Sequence, residues 1–297
     1  MRSFRFSAAV AATFLSTAVF PGVALARDAL TIDELKATAQ PSGLVPNAAF
    51  LPPEGAAAAH APFEGTILLT ETPMGTEPAA FKAETTLGKN PKIFPAVPLG
   101  FVTVGDDLVP VRQDVLRSGS LAQGTSYWDV IVQPGKVWSE PGDEGWSRGS
   151  FPFSLMHSLE GETHNGVATF LYKDGEISAL RFQVVQQTSP YYIEDYFTAW
   201  GAAPARLDAS AISDADKVRE RFKAQIAVAM PVKSWAELEA KVGADAAAGF
   251  DSAIRPGELV ADGLILDGAL YLKSCPSAAG ELAYCDRQRF GVWSVTK

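Results

Sequence analysis

Between Phe63 and Trp200 the chain alternates short runs of β-branched and aromatic residues with turn formers, and this spacing dictates strands. The runs are "GTILLTE", "LGFVTV", "LVPVRQ", "YWDVIVQ", "FPFSLMHSL", "GVATFLY" and "ISALRFQVVQQ". Asp174-Gly175, inside "FLYKDGEISALRF", supplies the positive-φ pair of a tight hairpin. So many strands with so few helical intervals predict an antiparallel β domain over 63–200, sandwich or barrel-like.

The flanks read differently. Within 27–62, Thr31 and Glu34 stand at capping-box spacing before a short helix, and a Pro-, Gly- and Ala-rich connector follows. Within 201–250, Ser213 is placed to cap a helix whose apolar face is Val218, Phe222, Ile226 and Val228 or Ala229; Pro231 stops it. Ser234 and Glu237 form a second capping box. In 251–297, Asp267-Gly268 joins two apolar runs into another hairpin. The fold class is therefore α+β, mainly β. The hairpin over 258–273 is expected to lack sheet partners and to leave open edges.

Arg2 and Arg5, an apolar run from Phe6 to Val23 and the small-x-small triplet Ala24-Leu25-Ala26 read as a secretory signal over 1–26, giving a periplasmic or secreted protein. No later stretch approaches the ~20 apolar residues of a membrane span. Acidic residues outnumber basic ones, 34 to 25, which argues against nucleic acid or anionic membrane as partner. In an oxidising compartment Cys275 and Cys285 pair as a disulfide; metal ligation is the alternative, but no Cys or His partner stands nearby.

The closing "FGVWSVTK" holds Ser294 and Lys297 at S-x-x-K spacing. On a helix the two share a face. A desolvated lysine there can take the serine's proton, while the helix N-terminus offers N–H groups to an oxyanion. Such spacing recurs about once by chance in a chain of this length, so context matters. A hairpin, a loop and then this motif resemble the entry to the active-site helix of the class C β-lactamase and penicillin-binding-protein superfamily. "YLKSCPSAAGELAYCDRQRFGVWSVTK", "VWSEPGDEGWSRGSFPFSLMHSLEGETHNG" and "RFQVVQQTSPYYIEDYFTAWG" look like a subgroup of exported members with an extra N-terminal β domain. The resemblance implies Ser294 as acylated nucleophile and Lys297 as its general base. It implies no cofactor or metal, and a small-molecule or peptide substrate only in a full-length form. The family's Tyr-x-Asn and Lys-Thr-Gly or His-x-Gly elements lie downstream of the nucleophile, and neither follows Lys297 here. The expectation is an N-terminal fragment, with 251–297 opening an incomplete hydrolase domain, that does not catalyse alone.

The alternative is a non-catalytic exported module binding a glycan or protein partner. Trp138, Trp146 and Arg148 could present aromatic faces to a sugar, or anchor a loop as buried residues. His157, Glu162 and His164 match no zinc spacing and read as a polar loop between strands. Glu194 and Asp195 read as solvated, and His60 has no evident partner. Oligomeric state leaves no trace in the sequence.

Overall fold

Phe151, Phe153 and Leu155 enter one core, while Ser154 between them faces away to Asn165; this alternation sets the architecture. The computed structural model describes residues 29–81, 89–118, 125–157, 162–188, 195–255 and 259–289. The segment 1–26 read as a secretory signal, Glu194, Ser294 and Lys297 lie outside the described residues. The main strands are β1 (Glu64–Leu69), β2 (Pro98–Val104), β3 (Asp107–Pro110), β4 (Trp128–Val132), β5 (Gly135–Trp138), β6 (Ser147–His157), β7 (Thr163–Lys173), β8 (Leu180–Thr188), β9 (Thr198–Ala203) and β10 (Ala205–Asp208).

These strands form an antiparallel meander in the order β10-β1-β2-β3-β5-β6-β7-β8-β9, with β4 beside β5 on β6. The two ends of that path are one chain segment, because only Pro204 separates β9 from β10. Proline cannot donate to a ladder, and here the segment changes partner: Ala203 pairs with Leu180 of β8, and Ala205 with Leu69 of β1. The same seam continues from Gly75↔Trp200 to Glu77↔Thr198. The sheet therefore closes on itself as a barrel, which removes its edges.

Aromatic rings fill the lumen. Phe63, Phe94, Phe101, Phe151, Phe153, Phe170 and Phe182 are each at most 2% exposed, and Phe94 stacks on Phe182 at 4.1 Å. Room for them comes from inward glycines. Gly149 pairs with Phe170 and Gly201 with Phe182, and each ring lies where the glycine's neighbourly side chain would stand. Asp174 (φ 49) and Gly175 (φ 84) make the predicted tight turn after β7.

Three covers clothe the outer wall. Helix α1 (Ile32–Lys36), with its Thr31–Glu34 capping box, and the 3-10 turn Asn47–Phe50 bury Leu35 and Phe50 on Val167 and Leu171. Helix α2 (Ala215–Val228) lays Ala215, Val218 and Phe222 on Val102 and Val109, and Arg219 ties it to Glu64. The third cover follows residue 274 and lays Cys275 and Leu282 on Val185.

Two details of α2 correct the sequence reading. Its N-cap is Asp214, with no side-chain cap bond, rather than Ser213. Only its first half meets the barrel: Ile226 and Val228 are 53% and 85% exposed because the helix outruns the wall beneath it.

Beyond α2, strand β11 (Val232–Ser234) leads through a Ser234–Glu237 capping box into α3 (Trp235–Val242) and α4 (Ala244–Ala248). The hairpin β12 (Asp262–Leu266) and β13 (Ala269–Ser274) turns at Asp267 (φ 49) and Gly268 (φ 75). It does not lack a partner. β11 pairs in parallel with β13, Val232 opposite Leu270, and Leu238 of α3 packs on Ala269 and Tyr271. A three-residue parallel strand bears no local sequence signal, which is why the reading missed it. The β12 edge has no partner among the described residues, and Ile265 there is 63% exposed.

Candidate functional site

The segment that leads toward Ser294 is held to the barrel wall by buried polar side chains. β8 alternates Leu180, Phe182 and Val184 inward with Arg181 and Gln183 outward. The ladder shifts between Asn165 and Gly166, and Val185 and Gln186 then both serve the outer face. Gln183 Nε2 donates to Asn47 Oδ1 at 2.7 Å and to the Val45 carbonyl at 2.9 Å. Asn47 in turn donates to Ser277 Oγ at 2.9 Å and the Glu281 carbonyl at 3.0 Å. Gln186 Nε2 donates to the carbonyls of Pro276 and Val260, both at 2.8 Å.

On this polar face sits a knot closed by the Cys275–Cys285 disulfide, as the sequence predicts. Cys275 and Leu282 pack on Val185, and the Ala278 N–H reaches the Val185 carbonyl at 3.0 Å. The strap continues outward. Arg287 bonds Asp107 Oδ1 at 2.9 Å and the Gly135 carbonyl at 3.2 Å; Gln288 Nε2 donates to the Gly166 carbonyl at 3.0 Å. Tyr284, within the strap at φ 55, is half-buried with its hydroxyl enclosed, and that burial pushes its phenol pKa up. Arg289 ends the described strap, its carbonyl 3.5 Å from Ser154 Oγ. The strap thus has many anchors upstream of the Ser-x-x-Lys motif. Asn47, Gln183, Gln186 and Gln288 were not singled out from sequence; amide side chains inside strongly apolar runs such as "RFQVVQQ" were the available signal.

The tryptophan loop forms no ligand platform from Trp138 and Arg148. Trp138 is 2% exposed, with its indole N–H on Glu140 at 2.8 Å. Arg148 lies buried against Asp143, bonded through Nε at 2.6 Å and a terminal nitrogen at 2.8 Å, with Glu140 at 3.4 Å. Trp146 is half-buried beneath the Lys36 ammonium, 4.7 Å from its ring. The ligand-surface expectation is corrected at Trp138 and Arg148 because their polar atoms are spent inside the loop. Trp146 alone keeps an open side.

His157, Glu162 and His164 are not a polar loop either. His157 ends β6, Glu162 precedes β7 and His164 lies within it; all are at most 5% exposed. His164 stacks on Phe197 at 4.5 Å and meets Trp128 edge-on at 4.7 Å. Its Nε2 is 3.5 Å from Glu162 Oε1. Burial holds the imidazole below its ordinary value of 6.5, although Glu162 and the half-buried Asp195 pull the other way. His157 lies flat on Tyr127 at 4.0 Å. Among the described residues no three such side chains converge as a metal site.

The backbone N–H of His60 donates to Ser147 Oγ at 2.9 Å, inside the segment that covers the wall. A cleft of about 500 Å³ runs along the closure seam between Thr38, Gln40, Met74, Gly75, Ala202 and Pro204. The chain matches no protein-family model, no curated protein and no solved structure.

Proposed function

We propose that this chain is the N-terminal part of an exported serine hydrolase resembling the class C β-lactamase and penicillin-binding-protein superfamily, with the barrel as its non-catalytic module. The observation that carries the reading is the strap: a disulfide, Arg287 and Gln288 fasten to the barrel the segment entering the Ser294-x-x-Lys297 motif. Catalysis requires a nucleophile held within a fraction of an ångström, and a rigid scaffold beside it supplies that constraint.

In this reading Ser294 Oγ attacks the carbonyl carbon of an amide or ester. Its proton passes to the neutral Lys297 amine and then to the leaving group, and water later cleaves the acyl-enzyme. Elements downstream of Lys297 supply the remaining walls and proton carriers. The leader over 1–26 directs the chain to the periplasm or beyond. The competing module reading loses Trp138 and Arg148 from its ligand surface, because both are buried.

The test is labelling with a fluorophosphonate or penicillin-type probe, followed by peptide mass spectrometry. The protein carrying sequence beyond Lys297 is expected to label at Ser294 and to lose the label in S294A. The 1–297 polypeptide alone is expected to stay unlabelled. An unlabelled Ser294 in the longer protein overturns the reading.

A further inference from the structure

One end of the barrel is built unlike the rest. The middle of the lumen is hydrocarbon, yet the layer around Trp128 and Phe197 contains His157 and His164, with Glu162 and Asp195 acting on the latter. His164 is completely buried. Among the described residues its Nδ1 has no hydrogen-bond partner, and its Nε2 has only Glu162 at 3.5 Å, beyond a good hydrogen bond. Unsatisfied buried imidazole nitrogens are costly, and a neutral ring tolerates such a place far better than a charged one.

We propose that His164 and Glu162 form an acid-operated closure: a neutral His164 seals this end of the barrel against Trp128 and Phe197, and a protonated one leaves the layer and unseats Phe197. The lever is steric as well as electrostatic. The His164 ring lies 26° from parallel to Phe197, so it cannot move to water without removing one face of Phe197's packing. Tyr196, next along the chain, is already 67% exposed, so the way out to solvent is short. Glu162 and Asp195 both favour the proton, and His157 and Tyr127 share the layer, stacked on each other. The step is proton uptake alone; no bond is broken and nothing is oxidised. An exported protein meets larger pH changes than a cytoplasmic one, which gives such a device a use.

Hydrogen–deuterium exchange of the whole chain between pH 7.5 and 5 tests this, after correction for the intrinsic pH dependence of exchange. Opening linked to one proton should raise exchange at Phe197–Trp200 by about tenfold per pH unit once the proton binds, while amides of Phe101 and Phe151 hold steady. Unchanged exchange at Phe197–Trp200, or an equal rise throughout the barrel, overturns the proposal. In H164F the pH response should vanish. Should that variant fail to fold, E162Q decides. Loss of the carboxylate disfavours the proton further in the closed layer, so the rise in exchange must continue to lower pH than in the parent before levelling off, and a plateau at the parent's pH overturns the proposal.

Discussion

Phe182 lies directly across the ladder from Gly201, and a Cβ at 201 would come closer than 3.0 Å to its ring. The lumen is therefore overfilled for any larger residue. G201A is expected to destabilise the protein by about 1–3 kcal/mol, the usual range for forced overpacking. Denaturant unfolding measures it. Gly43, with nothing within 4 Å of its added Cβ, is the control. G43A should change stability little, and F182L should recover part of the loss in G201A.

Arg148 shares a buried loop with Asp143 and Glu140. Removing the cation leaves two carboxylates without their counter-charge, so R148A is expected to cost about 3–5 kcal/mol. R148K keeps the charge but not the fork that bonds Asp143, and should fall between. Melting temperatures of the three proteins check the order.

The strap makes two separable contributions. Replacing both cysteines by serine should lower stability by about 2–3 kcal/mol on the loop-entropy account. Q288A removes the bond to the Gly166 carbonyl and should cost about 1 kcal/mol. Both should raise amide exchange at Leu282 and Arg287, whose N–H groups are bonded inside the knot. Equal protection in all variants would show that the strap is held by other means.

Glu34 accepts hydrogen bonds from the Thr31 backbone and hydroxyl, which hold its pKa below the ordinary 4.5. Its support of α1 is thus complete above about pH 4.5 and is lost as pH falls through the lowered folded value. E34Q retains a capping-box acceptor but no charge. Its stability should fall less steeply than the parent's between pH 4.5 and 3, read from urea midpoints across that range.

Ile265 projects from the unpaired β12 edge. A lysine on an open strand edge opposes sheet-to-sheet association. I265K is expected to raise the concentration at which the protein stays monodisperse, with the melting temperature unchanged; light scattering and calorimetry separate the two.

The parts legible in the sequence are those with local causes. Asp174-Gly175 and Asp267-Gly268 announced their turns, Thr31–Glu34 and Ser234–Glu237 their helices, and Cys275 and Cys285 their bond, because each depends on neighbours within a few residues. Closure of the sheet had no such cause. Leu69↔Ala205 joins residues too distant for any pattern to link them, and a buried Arg148 looks like a surface one until Asp143 is seen around it. The His164 layer was misjudged for the same reason, since aromatic neighbours as remote as Trp128 and Phe197 decide its burial. For Ser294 and Lys297, the acyl-transfer chemistry is a proposal from sequence resemblance, and the described strap adds the anchorage upstream of them.

The Pro204 bend has a further result in time. The other main-strand pairings join neighbours in the meander, so each can zip as soon as its neighbour is made, whereas the seam pairings, Thr66 with Asp208 and Gly75 with Trp200, must wait for the last strands. During synthesis the nascent cylinder is a half-rolled scroll with one edge of its earliest strand unpaired. The slowest folding step, and the window for capture by a chaperone or protease, should therefore be set by one late stitch.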